Sequence, residues 1–149
     1  MIDFCGGFSL KTLFRSDFLY GMKVYVTGST LESRKAQAAV TQLGHTVTFD
    51  WTIFALGTDA TPDDLARLSR LSMTAMRQAD LVVVVFADTA RVHQDTFADL
   101  GAAVALQKPV VILDLMGATG QSARSVPVFN DALTRRVYSY DELAVWCVS

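Results

Sequence analysis

The chain has 149 residues, of which 51% are hydrophobic and 19% charged, with a formal net charge of −2. Those values fit one globular domain with a single sizeable core and exclude a disordered segment. No basic footprint marks a polymeric nucleic acid as partner, whereas a small anionic ligand stays open, because a helix N-terminus holds a phosphate whatever the net charge.

Within the first 21 residues Phe4, Phe8, Phe14 and Phe18 are mixed with Lys11, Arg15 and Asp17. The segment lacks the apolar stretch and small-residue cleavage site of a signal peptide, and its aromatic spacing partly suits one helical face. Residues 1–21 are therefore expected to form an appended or docking arm, and residues 22–149 a single α/β domain. No apolar run approaches the roughly 18 residues of a membrane span, so no membrane partner is expected. Cys5 and Cys147 lie near opposite ends of the chain, with neither a metal-type spacing nor a disulfide framework. Two reduced thiols in a cytoplasmic protein is the corresponding expectation.

Lys23–Thr27 is a β-branched apolar run ending at Gly28-Ser29-Thr30, which predicts a strand and then a loop. A helix is predicted from about Leu31 to Leu43, with Ala36, Ala39, Val40 and Leu43 inward and Gly44 in the position of a left-handed cap. His45–Asp50 alternates as a second strand, with Val47 and Phe49 on one face. Thr52–Ala60 has no clear period and is a candidate active-site loop. Thr61-Pro62-Asp63-Asp64 starts a helix, with threonine at the N-cap, proline at the first helical position and acids in the first turn. That helix should reach about Gln78, burying Leu65, Leu68, Leu71 or Ser72, Ala75 and Met76.

Leu81–Phe86 does not alternate, as expected for a central strand buried on both faces. Asp95–Gln107 follows as a third helix, Val110–Leu113 as a fourth strand and Asp114–Pro127 as a loop. Arg136–Tyr138 reads as a short edge strand, and Ser139-Tyr140-Asp141-Glu142 as a capping box opening a last helix from Tyr140 to Val148. Strands alternating with helices require right-handed crossovers and helices on both faces of a parallel sheet. The expected architecture is a flavodoxin-like, Rossmann-like three-layer α/β sandwich with five parallel strands in the order 2-1-3-4-5.

In an open parallel sheet ligands bind beyond the carboxyl ends of the strands. At the first such end, Gly28, Ser29 and Thr30 make either a phosphate or sugar site, with Arg34 able to supply charge, or an ordinary turn and N-cap. They match neither the dinucleotide-binding glycine pattern nor the Walker ending. After the central strand come Asp88, His93, Asp95 and Asp99. An N-cap role accounts for Asp95. Asp99 is less well explained that way, since Leu100, Ala102 and Ala103 mark a buried helix. A carboxylate there can serve as nucleophile or general base, especially if burial raises its pKa. His93 reads as a loop residue, and no metal site is expected. Tyr25 buries its ring in the first strand and needs a hydroxyl partner, either a carboxylate at the neighbouring strand's exit or backbone. Trp51 and Phe54 offer a stacking wall for a planar base or a lid over the core. No Gly-x-Ser-x-Gly elbow supports serine hydrolase chemistry.

Taken together, Met22–Ser29, Ala79–Val84 and Asp99–Ala103 continuing to Lys108-Pro109-Val110 resemble the nucleoside 2-deoxyribosyltransferase family, including its deoxynucleoside 5′-monophosphate N-glycosidase relatives. The resemblance covers about Met22 to Leu113. It implies that Asp99 stands where the family has a nucleophilic glutamate that attacks the anomeric carbon and expels the base, with Tyr25 orienting it. It also implies that Gly28-Ser29-Thr30 matches the loop with which the hydrolase branch binds a 5′-phosphate, that no cofactor is needed, and that a homo-oligomer completes the site. Three departures stand out. Aspartate at 99 is one methylene shorter than glutamate, His93-Gln94-Asp95-Thr96 replaces an Asp-x-Gly-Thr-like approach, and Ser72 falls where some members carry a base-protonating aspartate.

The resulting expectation is an N-glycosidic-bond enzyme acting on a nucleoside or nucleoside 5′-monophosphate, by deoxyribosyl transfer or by hydrolysis. Asp99 would be nucleophile or general base, Tyr25 its orienter, and Gly28, Ser29 and Thr30 the cradle. Asp88 and Asp95 would hold sugar hydroxyls or protonate the leaving base. The alternatives are a catalytically altered nucleotide-binding or sensing protein of the same fold, and a structural partner docking through its aromatic arm.

Overall fold

The computed structural model describes residues 21–54, 57–87, 94–131 and 134–148, so the expected arm, Asp88 and His93 lie outside the described residues. The chain runs β1 (Lys23–Thr27), α1 (Thr30–Gln42), β2 (Thr46–Val47), α2 (Pro62–Gln78), β3 (Leu81–Ala87), α3 (Gln94–Ala105) and β4 (Val110–Leu115), then α4 (Gln121–Arg124), β5 (Thr134–Val137) and α5 (Tyr140–Val148). Single 3-10 turns occupy Trp51–Ile53, Gly117–Gly120 and Pro127–Asn130. The strands pair in the order β2-β1-β3-β4-β5, every pair parallel, as the sequence predicts.

The two-residue period of a strand sends successive side chains to opposite faces, and β3 meets a core on both. Leu81, Val83 and Val85 pack with Ala36 and Val40 of α1 and Leu143 and Cys147 of α5. Val82, Val84 and Phe86 pack with Ala75 and Met76 of α2 and Leu100 and Ala103 of α3. Helices therefore cover both sheet faces, making three layers. Burial of each such Val or Leu contributes about 1.5–3 kcal/mol. Tyr25 and Thr27 of β1 fall on the α2–α3 side by the same period, which decides where the site forms.

Helix starts follow local chemistry. The Thr61 hydroxyl accepts from the Asp64 amide at 3.2 Å, and the Asp64 carboxylate accepts from the Thr61 amide at 2.9 Å, closing a capping box. Gly44, at φ +88°, takes the left-handed position after α1. At α5 the box is only half made. The Ser139 hydroxyl accepts from the Glu142 amide at 3.1 Å, but Glu142 accepts from the amide of Tyr138, one residue before the cap.

Several expectations need correction. β2 is Thr46–Val47 alone, because the side chains of Phe49 and Trp51 pack against the α2–α3 core and draw the chain off the sheet edge into a 3-10 turn. Leu65 and Leu71 of α2 are not core, at 53% and 37% exposed, and Ser72 rather than Leu71 faces inward along the helix. Asp95 lies within the first turn of α3, not at its cap. The segment expected as an open loop from Asp114 is strand as far as Leu115 and is wound into short helical turns from Gly117, braced where buried Asp114 accepts from Arg124 at 2.8 and 3.0 Å. No helix among the described residues is long and apolar enough to cross a membrane.

His45, just before β2, is only 4% exposed. Burial pushes its imidazole below the ordinary 6.5, and the nearby Cys147 backbone offsets this only in part. A depressed folded-state pKa means that the unfolded chain binds the proton first. The neutral ring's contribution to stability is therefore present above pH 6.5 and is lost as pH falls from there towards the folded value. Between pH 7.5 and 5.5 the urea midpoint of the native chain is expected to drop further than that of His45→Gln. Parallel curves for the two proteins would contradict it.

Candidate active site

Beyond the carboxyl end of β1, a cleft of about 480 Å³ opens between the β1–α1 turn, α2 and the start of α3. That volume is typical of small-molecule sites. β1 contributes Tyr25 and Thr27, the turn Gly28, Ser29 and Thr30, and α3 contributes Asp95, Thr96, Ala98 and Asp99. The Trp51 ring lines it, and α2 adds Leu65, Leu68, Ser69, Ser72 and Met73. Asp95 and Asp99 are the charged groups among the described lining residues.

Asp99 is partly buried on the second turn of α3. Burial is the largest influence on its carboxyl group and raises its pKa above the ordinary value. A hydrogen bond from Thr27 opposes that shift, and the charge of Asp95 adds to it. Asp95 and Asp99 are four residues apart and so share one helix face. The Thr27 hydroxyl donates directly to Asp99 Oδ2. Sequence reading did not single out Thr27, since threonine in a strand is unremarkable. The available signal was its spacing of two from Tyr25, which puts both side chains on one face.

Tyr25 is 1% exposed. Its phenol is held neutral, its pKa raised first by burial and then by the neighbouring Asp99 charge, while a hydrogen bond with Ser72 acts in the opposite direction. The hydroxyl's partner is thus a side chain of α2, with Asp99 within electrostatic reach. Ser72, Tyr25, Thr27 and Asp99 converge on one wall.

Trp51 is tied to β1, its indole Nε1 donating to the Val26 carbonyl at 2.9 Å. Arg34 is not among the lining residues. Its guanidinium donates to the Thr52 hydroxyl at 3.3 Å and the Thr52 carbonyl at 3.0 Å, which ties α1 to the turn that carries Trp51. The charge it was expected to supply at the cradle is engaged there instead. Phe54 packs its ring on Phe49, 5.5 Å between centroids, and does not line the cleft. Ser29 caps α1, its hydroxyl accepting from the Glu32 amide at 3.4 Å, so the ordinary-turn reading of this hydroxyl holds alongside its place in the cleft wall.

Gly28 has φ +146°, and a Cβ there would lie 2.6 Å from the Val85 carbonyl oxygen of β3. The obstacle is backbone, which cannot swing aside as a side chain can. Gly28→Ala is expected to cost on the order of 1–3 kcal/mol and to distort the cleft wall. A fall of several degrees in Tm is the expected record. An unchanged Tm would contradict the close approach.

Among the described residues no group of three His, Cys, Asp or Glu side chains is arranged to hold a metal ion. The chemistry on hand is that of carboxylates, hydroxyls and one aromatic wall.

No family model matches this sequence, and no curated protein matches it either. Solved structures do match in fold. A 2-deoxyribosyltransferase from Bacillus psychrosaccharolyticus superposes with a TM-score of 0.66 at 19% identity, over 82% of this chain and 90% of that one. The CMP N-glycosidase BcmB of Clostridium botulinum superposes with a TM-score of 0.54 at 14% identity, over 83% of this chain and 93% of that one. At such identities the likeness establishes a shared fold.

Proposed function

We propose that this chain, which has the fold of a 2-deoxyribosyltransferase, belongs to the nucleoside 2-deoxyribosyltransferase-like family and acts on an N-glycosidic bond. Its substrate is a nucleoside or nucleoside 5′-monophosphate. Both superposing proteins are named for chemistry on such compounds, one for deoxyribosyl transfer and one for N-glycoside cleavage. The observation that carries the reading is a carboxylate, Asp99, partly buried at the wall of a ligand-sized cleft beside Tyr25.

In this reading an Asp99 oxygen attacks the anomeric carbon, the carbon–nitrogen bond breaks, and its electron pair leaves with the base, which takes up a proton. Water or a second base then attacks the glycosyl–Asp99 ester and frees the carboxylate, giving hydrolysis or transfer. Tyr25, its neutral phenol beside Asp99, helps to orient the carboxylate by its proximity. Asp95, exposed one turn earlier on the same helix face, is the candidate to meet a sugar hydroxyl or the departing base. Gly28, Ser29 and Thr30 form the cradle for the sugar or its phosphate, and Trp51 supplies an apolar face for the base. A site completed by a second copy of the chain belongs to the same proposal.

Incubation with a panel of deoxynucleosides and their 5′-monophosphates, followed by chromatography for free base, tests the reading. Base release above the uncatalysed level is expected for at least one substrate. Calorimetric binding with no release would replace the enzyme with a binding or sensing protein of the same fold, and neither signal would remove both readings.

A further inference from the structure

We propose that Thr27 is a positioning residue, whose hydroxyl pins one oxygen of the Asp99 carboxylate against β1 and leaves the other to face the cleft. The proposal rests on Asp99 being the reacting group of the preceding section.

The geometry carries it. Thr27 is the last residue of β1, 3% exposed, and Tyr25 shares its sheet face. Its hydroxyl donates to Asp99 Oδ2 across 72 residues of sequence, joining the sheet to α3 at the cleft wall. A hydrogen bond from a neutral donor to an ionised acceptor is among the stronger kinds, and it fixes direction as well as distance. The carboxyl group of an aspartate stands only one methylene from its backbone. It has little freedom to search for an anomeric carbon, and displacements near an ångström matter to attack geometry. A short carboxylate must therefore be aimed, and the Thr27 hydroxyl is the group that the described residues place on it directly.

The same bond bears on ionisation, because donation to the carboxylate favours its charged form. Two influences work against that form, burial of Asp99 and the neighbouring charge of Asp95. The titratable groups facing Asp99 are few. Tyr25 approaches from β1, and Asp95 lies on the same helix as Asp99. From α2 the cleft receives Leu65, Leu68, Ser69, Ser72 and Met73, and from the 3-10 turn Trp51, none of which is charged. No cation among the described lining residues holds Asp99 ionised, so the Thr27 hydroxyl carries that task at close range.

Thr27→Val keeps the branched shape and removes the donor, and Thr27→Ser restores the donor on a smaller side chain. Carboxyl 13C NMR titration of Asp99 in the three full-length proteins reads the bond without reference to any reaction. In Thr27→Val the titration midpoint should rise by about one pH unit, equivalent to a tenfold change in ionisation, and Thr27→Ser should return it most of the way. A midpoint unmoved in Thr27→Val, with a Tm that reports a folded protein, would overturn the proposal. Base release measured on the same samples separates the two ideas. If release occurs, its acid limb should move to higher pH in Thr27→Val, with kcat falling more than KM changes. If no protein releases base, the enzymatic reading fails while the titration still decides the bond.

Discussion

Asp99→Asn is expected to abolish base release, by roughly a thousandfold or more in kcat, while leaving the fold intact. The amide has nearly the shape of the carboxylate and still offers an oxygen to the Thr27 hydroxyl, so the wall of the cleft is preserved. What it lacks is the negative charge needed to attack an anomeric carbon or to take a proton from water. Because burial already disfavours the charge of Asp99, the variant should melt at or above the temperature of the native chain. Chromatography for free base and a thermal melt check both halves. Release that survives in Asp99→Asn would transfer the reacting role to another group, with Asp95 next along the same helix face.

The largest expected effect on stability lies away from the cleft. Asp114, on β4, is fully buried at its side chain and accepts from Arg124 Nε at 2.8 Å and from a second guanidinium nitrogen at 3.0 Å. It also accepts from the Met116 amide at 3.1 Å. The Arg124 side chain is about a fifth exposed, so part of its own hydration survives. Arg124→Met leaves a buried carboxylate with one backbone donor, and the expected cost is about 3 kcal/mol, the low end for breaking a buried pair. Further loss follows from the segment that the pair organises. The Arg124 carbonyl accepts from Asn130 at 2.8 Å, Asn130 accepts from Arg136 at 3.0 Å, and the Arg136 guanidinium lies 4.5 Å over the Phe129 ring. Removing both charges together, in Asp114→Leu with Arg124→Met, should restore much of the loss, because no lone buried charge then remains. Urea denaturation of the single and double variants measures this. A single variant as stable as the native chain would show that the pair contributes nothing net.

Most of the architecture was legible because the relevant signals are local. The unbroken Leu81–Phe86 run announces a strand covered on both faces. The Thr61-Pro62-Asp63-Asp64 start predicts a helix boundary that the structure reproduces at Pro62. What the sequence hid was tertiary. The alternating run at 45–50 has the look of a longer strand, but Phe49 and Trp51 pack against the core that the sheet shares with α2 and α3. Leu65 fits a core period on α2, yet the surface it would cover is the open cleft, so it lines that cleft and stays exposed. The helical turns of residues 117–130 depend on Asp114 and Arg124 meeting ten residues apart, and no local period reports that.

The candidate site divides in the same way. Tyr25, Gly28, Ser29, Thr30, Trp51, Ser72, Asp95 and Asp99 do converge on one cleft. Arg34 does not join them, since a long side chain follows whichever acceptor its helix brings near, here Thr52. Thr27 was overlooked because its importance lies in a contact with a residue 72 positions away.

A crystal structure of the full chain soaked with a deoxynucleoside, or its 5′-monophosphate, bears most directly on the central claim. The expected result is the sugar seated between Tyr25 and Asp99, its anomeric carbon about 3–3.5 Å from the Asp99 oxygen that Thr27 leaves free, and the base against Trp51. A ligand bound with its anomeric carbon remote from Asp99, or with that carboxylate turned to bulk solvent, would contradict glycosidic chemistry at this cleft.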